Sequence, residues 1–240
     1  MRAPIRKLVA GVATLRPNDP VLTAALQLSA RLGAELDLVH VQGPDARAGA
    51  SAPLGFRGVL RRLVEAAEPS ATASGRVTCR MRTGSAAYGL LEAAGPDADL
   101  LVLGATRRDP LAGAILGTTA GRVLRAARVP VLVLRGELPD RPLRVLLTTD
   151  LSSHSAYAHS RGAALARALG APAEAELRTL FVEPPPLLDG VPARPLVHAG
   201  SSEELDHFLG AEVPQSRSLP LVRSGDAAAE IEREAREWGA

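Results

Sequence analysis

Four residues of this 240-residue chain have the types and spacing to do chemistry together: Gly104, Gly117, Thr118 and Thr119. Gly104 closes the apolar run Leu100 to Leu103. Glycine at the carboxyl end of a strand lets backbone approach a ligand closely. Gly117 opens a run with helical spacing. The first turn of a helix carries unpaired N–H groups and the positive end of a dipole, which suit a phosphate. Thr118 and Thr119 add hydroxyl donors. A basic loop lies between the glycines. Its Arg107 either reaches a bound phosphate, which a guanidinium matches bidentately, or fills the crevice instead. Arg108 reads as an ordinary solvated residue. Other combinations are poorer. Gly117 to Gly121 (GTTAG) copies a hydrolase elbow only superficially, with threonine for serine and no strand directly before it. His154 and His159 are five apart and share no helix face, and no thiolate or paired acids lie near, so no metal site is expected. Cys79 is the only cysteine, which excludes an intrachain disulfide and a cysteine cluster. It reads as a buried strand residue.

The elements that must hold these residues are plain. Leu100 to Leu103 is a strand, Ala120 to Ala127 is helical, and Val131 to Leu134, after Pro130, is a second strand. This is half of a parallel α/β unit. Gly104, Arg107, Gly117 and Thr118 also stand at the spacing of the nucleotide-binding signature of the universal stress proteins: Gly, two residues, Gly, nine residues, Gly, then Ser or Thr. The stretch resembles that family, and Arg128 to Leu134 (RVPVLVL) resembles its final strand. Arg107 departs from the pattern, since the family has glycine there.

The resemblance implies an α/β fold with an open parallel five-stranded sheet in the order 3-2-1-4-5, like that of the adenine-nucleotide α-hydrolases. It implies an adenine nucleotide, ATP or AMP, in the crevice at the carboxyl ends of strands one and four; whether Mg accompanies it stays open. The positions it carries over are Val12, Ala13, Val41, Gly104, Arg107, Gly117, Thr118 and Thr119. The family's acidic residue at the end of strand one is Ala13 here, which cannot accept a hydroxyl hydrogen bond. No residue reads as a dedicated general base, so the chain is not expected to be an enzyme beyond feeble ATP hydrolysis. The alternative is a dimerising scaffold of the same fold that binds no nucleotide. The family pairs through its last strand, so a homodimer through Val129 to Leu134 is expected.

In chain order, Lys7 to Ala13 is a first strand. Asp19-Pro20 starts a helix, with aspartate as cap and proline at the first helical position, and Gly33 ends it. Glu35 to Val41 is a second strand. Gly43 to Gly55 is a loop and Arg57 to Ala67 a helix. Arg76 to Arg82 is a third strand, and Gly84-Ser85 starts a helix to about Ala94. Residues 1–136 thus make a complete domain of five strands and four helices.

Residues 137–142 (ELPDRP) form a linker, and then the pattern restarts. Arg144 to Asp150 repeats Lys7 to Ala13, and Leu169-Gly170-Ala171 repeats Leu32-Gly33-Ala34, offset by 137 positions in both cases. Leu177 to Glu183 is a strand, Pro184 to Pro195 a proline-rich loop, Glu203 to Leu209 a helix, Leu219 to Arg223 a strand and Ala227 to Glu237 a helix. Residues 143–240 read as an incomplete second copy, up to but not including its fourth strand. Its Asp150 stands where the family's acidic residue belongs, as a ligand, a helix cap, or a group lent to another chain's site. Trp238 is expected to pack on the second sheet.

Composition narrows the classes. Hydrophobic residues make up 46%, enough for a buried core. Aromatics at 2% leave no stacking platform for single-stranded nucleic acid, and a net charge of +2 gives no electrostatic footprint for it. No apolar run approaches the roughly 20 residues that span a bilayer. No nucleic-acid or membrane partner is expected, and a cytoplasmic location is.

Overall fold

The apolar runs Leu8–Ala10 and Leu100–Leu103 are buried on both faces, as the central strands of a parallel sheet must be. The computed structural model describes residues 5–13, 19–43, 58, 76–105, 117–136, 138, 142–170, 175–185, 187–188, 191–192, 199–214 and 217–240. The chain divides into two compact units, Met1–Leu138 and Pro139–Ala240.

The first unit holds β1 (Lys7–Gly11), α1 (Pro20–Leu32), β2 (Glu35–Gln42), β3 (Val77–Thr83), α2 (Ala86–Ala94), β4 (Leu100–Gly104), α3 (Thr118–Ala126) and β5 (Val131–Leu134). All five strands are parallel, in the order β3-β2-β1-β4-β5. This is the expected order, and it reverses direction between β1 and β4. α1 starts and stops as its sequence dictates. The buried Asp19 carboxylate accepts from the Val21 and Leu22 amides at 2.9 and 3.3 Å, Pro20 takes the first turn, and Gly33 ends the helix at φ 61. The core packs Val9, Val39, Leu101 and Leu103 against Leu90 of α2 and Val123 of α3. Asp99 ties the amino ends of β1 and β4 together, its Oδ2 accepting from the Arg6 and Lys7 amides. The helix expected over Arg57–Ala67 lies outside the described residues except for Gly58, which is helical.

The second unit holds β6 (Arg144–Thr149), α4 (Ser153–Gly170), β7 (Glu176–Glu183), β8 (Leu187–Leu188), β9 (Val191–Pro192), α5 (Ala199–Ala211), β10 (Leu219–Ser224) and α6 (Ala227–Trp238). Its parallel sheet runs β10-β7-β6, with the first-numbered strand at one edge. Two sequence readings need correction. The loop after β7 is not wholly irregular, because β8 and β9 pair antiparallel within it. Cys79 is only half-buried, because β3 is an edge strand with one open side. Trp238 lies under the Arg178 guanidinium of β7, 4.4 Å from its ring centroid, as a packed cation–π pair.

Candidate functional site

The sheet order puts the topological switch between β1 and β4, where open α/β sheets bind ligands at the carboxyl ends of their strands. The strand register brings the candidates to that edge. Ala10 stands opposite Val102, so Val12, two residues on, is level with Gly104. Gly104 in turn stands opposite Leu134. Val12 is buried and Ala13 exposed, and β1 ends at Gly11, two residues before the expected limit. Ala13 offers the edge no side-chain acceptor.

Gly104 has a packing role that the sequence did not reveal. A Cβ there would stand 2.8 Å from Cγ2 of Val21, so the bare backbone of β4 is what lets the first turn of α1 seat against it. Gly117 is the N-cap of α3, with φ −57 and ψ 151. The first helical bond runs from the Gly121 amide to the Gly117 carbonyl at 2.9 Å. No side chain caps this helix among the described residues, so neither Thr118 nor Thr119 acts as its cap. By contrast α1 and α6 are closed by Asp19 and Asp226. Among the described residues the first-turn amides of α3 thus have no side-chain acceptor. Thr118 is exposed and Thr119 half-buried. Arg107 and Arg108 lie outside the described residues.

Val41 sits one residue from the end of β2, at the same edge. The Val12 amide donates to the Val39 carbonyl at 2.9 Å, which puts the main-chain groups of Val39, and by alternation those of Val41, on the β1 side. The next rung of a parallel ladder would run from the Val41 amide to the Val12 carbonyl. Among the described residues that rung is absent. His40 Nδ1 meets the Val12 carbonyl instead, at 2.9 Å. No motif or spacing in the sequence singles out His40. Its one signal was a lone imidazole inside an apolar strand, DLVHV.

Asp150 follows β6 at the corresponding end of the second sheet. It is exposed, and its Oδ1 accepts from the Ser152 amide at 3.0 Å and the Ser152 hydroxyl at 2.6 Å. Those bonds, with help from Ser155, hold its carboxyl down at about 2. Ser152 Oγ in turn accepts the Ser155 amide at 3.2 Å, three residues on, which is the geometry of a cap for α4. Asp150 thus braces the capping serine through an Asx turn rather than capping the helix itself. Among the described residues, no group of three or more His, Cys, Asp and Glu side chains could hold a metal ion.

Three comparisons bear on this geometry. The model of the universal stress protein family matches residues 4–135, more than half of the chain, and the chain belongs to that family. No curated protein matches it. Among solved structures, a Pseudomonas aeruginosa UCBPP-PA14 protein assigned to the universal stress proteins is similar over 98% of this chain and 80% of its own, with 18% identity and a TM-score of 0.71. A universal stress protein from Archaeoglobus fulgidus DSM 4304 is similar over 97% of this chain and 82% of its own, with 18% identity and a TM-score of 0.63. At these identities the likeness is one of fold. No helix among the described residues is long and apolar enough to cross a membrane.

Proposed function

We propose that this universal stress protein is a stress-response regulator that holds an adenine nucleotide, ATP or AMP, at the crevice of its first unit. The observation that carries this reading is a pair of polar backbone ends at one sheet edge that have no partner among the described residues. The Val41 N–H and C=O give an adjacent donor and acceptor, the complement of an adenine's Watson–Crick edge. The uncapped first turn of α3 gives a cluster of amides at the positive end of a helix, the complement of phosphate oxygens. Thr118 and Thr119 add hydroxyls beside it. The chain's own residues in this account bind and orient; none is a general base, so hydrolysis is at most slow.

Ala13 favours a second reading. With an exposed methyl where the family has an acid, Ala13 offers no side-chain acceptor for a ribose hydroxyl. A scaffold of the same fold that works by pairing alone would need no such acceptor. Calorimetry with ATP and AMP separates the two. Binding heat from the wild type and none from Gly117→Arg, which puts a long side chain at the amide cluster, is the outcome expected. No heat from the wild type leaves the scaffold. In either reading two copies pair through the edge strand Val129 to Leu134.

A further inference from the structure

We infer that His40 is a positioning residue that keeps the Val41 backbone available to a ligand; the inference rests on the nucleotide reading above. Without intervention, two parallel strands continue their ladder as long as both chains run straight. β1 and β2 do so up to the bond from the Val12 amide to the Val39 carbonyl. The following bond would join the Val12 carbonyl and the Val41 amide. In its place the carbonyl accepts from His40 Nδ1, 2.9 Å away, and that bond holds it turned off the Val41 amide.

The chemistry fixes the direction of this bond. A carbonyl oxygen only accepts, so Nδ1 carries the hydrogen. The acceptor of β1 is thereby satisfied by a side chain of β2, and a half-buried carbonyl is not left bare. Val41 keeps an N–H and a C=O directed to the β1 side with no main-chain partner there among the described residues. The imidazole thus makes the difference between a closed sheet edge and an edge that can recognise a flat donor–acceptor ligand. His40 itself need not touch the nucleotide.

The test reads the ligand-free protein first. Amide hydrogen exchange is followed at Val41 in the wild type and in His40→Ala, His40→Gln and His40→Asn. Asparagine places an N–H near the position of Nδ1; glutamine places it near Nε2, one atom too far. In His40→Ala and His40→Gln the rung closes and Val41 exchange slows by at least about tenfold, while His40→Asn exchanges like the wild type. AMP affinity measured by calorimetry falls in the same two variants, by roughly fivefold or more, and is kept in His40→Asn. Unchanged Val41 exchange in both His40→Ala and His40→Gln overturns the inference, whatever the affinities. Should His40→Ala fail to fold, the contrast between glutamine and asparagine decides it alone. If exchange responds as expected but AMP binds no form of the protein, the nucleotide reading falls and the device that holds the edge open stands.

Discussion

Gly104 shows how one residue can answer to two demands. The sequence reading gave it to a ligand; the structure gives its missing Cβ to Val21, whose Cγ2 would lie 2.8 Å from that atom. Gly104→Ala should therefore destabilise the first unit by about 1–3 kcal/mol, because the side chain in its way sits on a capped, tightly seated helix turn. Val21→Ala removes the obstructing methyl. The double variant should recover most of the loss caused by the alanine at 104, and urea unfolding of the four proteins measures that coupling. A simple ligand role for Gly104 predicts no such recovery. Two titrating residues of the second unit act at separate pH ranges. His159 is 2% exposed, with Nε2 2.7 Å from Thr179 Oγ1 and a buried Nδ1 that has no hydrogen-bond partner among the described residues. Burial, and then the charge of Arg167, push its pKa below the usual 6.5. The unfolded chain therefore binds a proton more readily, and stability is full above 6.5 and is lost as the pH falls from there through the lower folded value. Asp150 adds stability above about 3.8 that goes only as the pH drops toward 2. Urea midpoints at pH 7.5 and 5.5 should differ for the wild type and converge in His159→Gln, while Asp150→Asn leaves that difference in place.

At the level of elements, what could be read in advance was what is encoded locally. Asp19, Pro20 and Gly33 delimit α1 because caps act over two or three residues. The strands themselves were legible from the apolar runs, but their order was only what the family resemblance implied. Interactions that join distant strands were not legible. The bond between His40 and the Val12 carbonyl spans 28 positions and depends on register, which no local pattern states. The same holds for Glu234 on α6, 1% exposed, which lies between Arg178 of β7 and Arg223 of β10 and is paired with both. Read along the helix, IEREAREW is a solvated charged face; only the packing of α6 on the sheet buries its glutamate. Burial raises the Glu234 pKa, but the hydrogen bonds from Arg223 and Arg178 outweigh it and hold the carboxyl below its ordinary value. Removing one partner of such a cluster leaves desolvated charge behind. Glu234→Ala should cost about 3 kcal/mol in thermal or urea unfolding. Glu232→Ala, which breaks a pair about 70% exposed on both sides, should stay near zero. Comparable losses in the two variants would show that α6 is not seated as described.

At the scale of the whole molecule the open question is how the chain associates, and the backbone of β5 offers a test with a built-in control. β5 is the outer strand of the first sheet. Its even-numbered residues face inward: the Leu101 amide donates to the Pro130 carbonyl and the Ala105 amide to the Leu134 carbonyl. By alternation the N–H and C=O groups of Val131 and Val133 face away from β4. A row of unpaired strand groups carrying apolar side chains is a template for another strand. Two copies meeting antiparallel across a two-fold axis would satisfy it symmetrically. Val133→Pro removes one outward donor and sets a ring where the partner's carbonyl would lie. It spares the ladder to β4, because the amide it deletes makes no bond there. Sedimentation of the wild type at micromolar concentration should give a dimer, and Val133→Pro a monomer with an unchanged unfolding midpoint for the isolated chain. Leu132→Pro is the control, since it cuts an inward amide and should lower stability as well as association. A dimer that survives Val133→Pro would place the contact on some other surface, and a wild type that sediments as a monomer would leave β5 a bare edge.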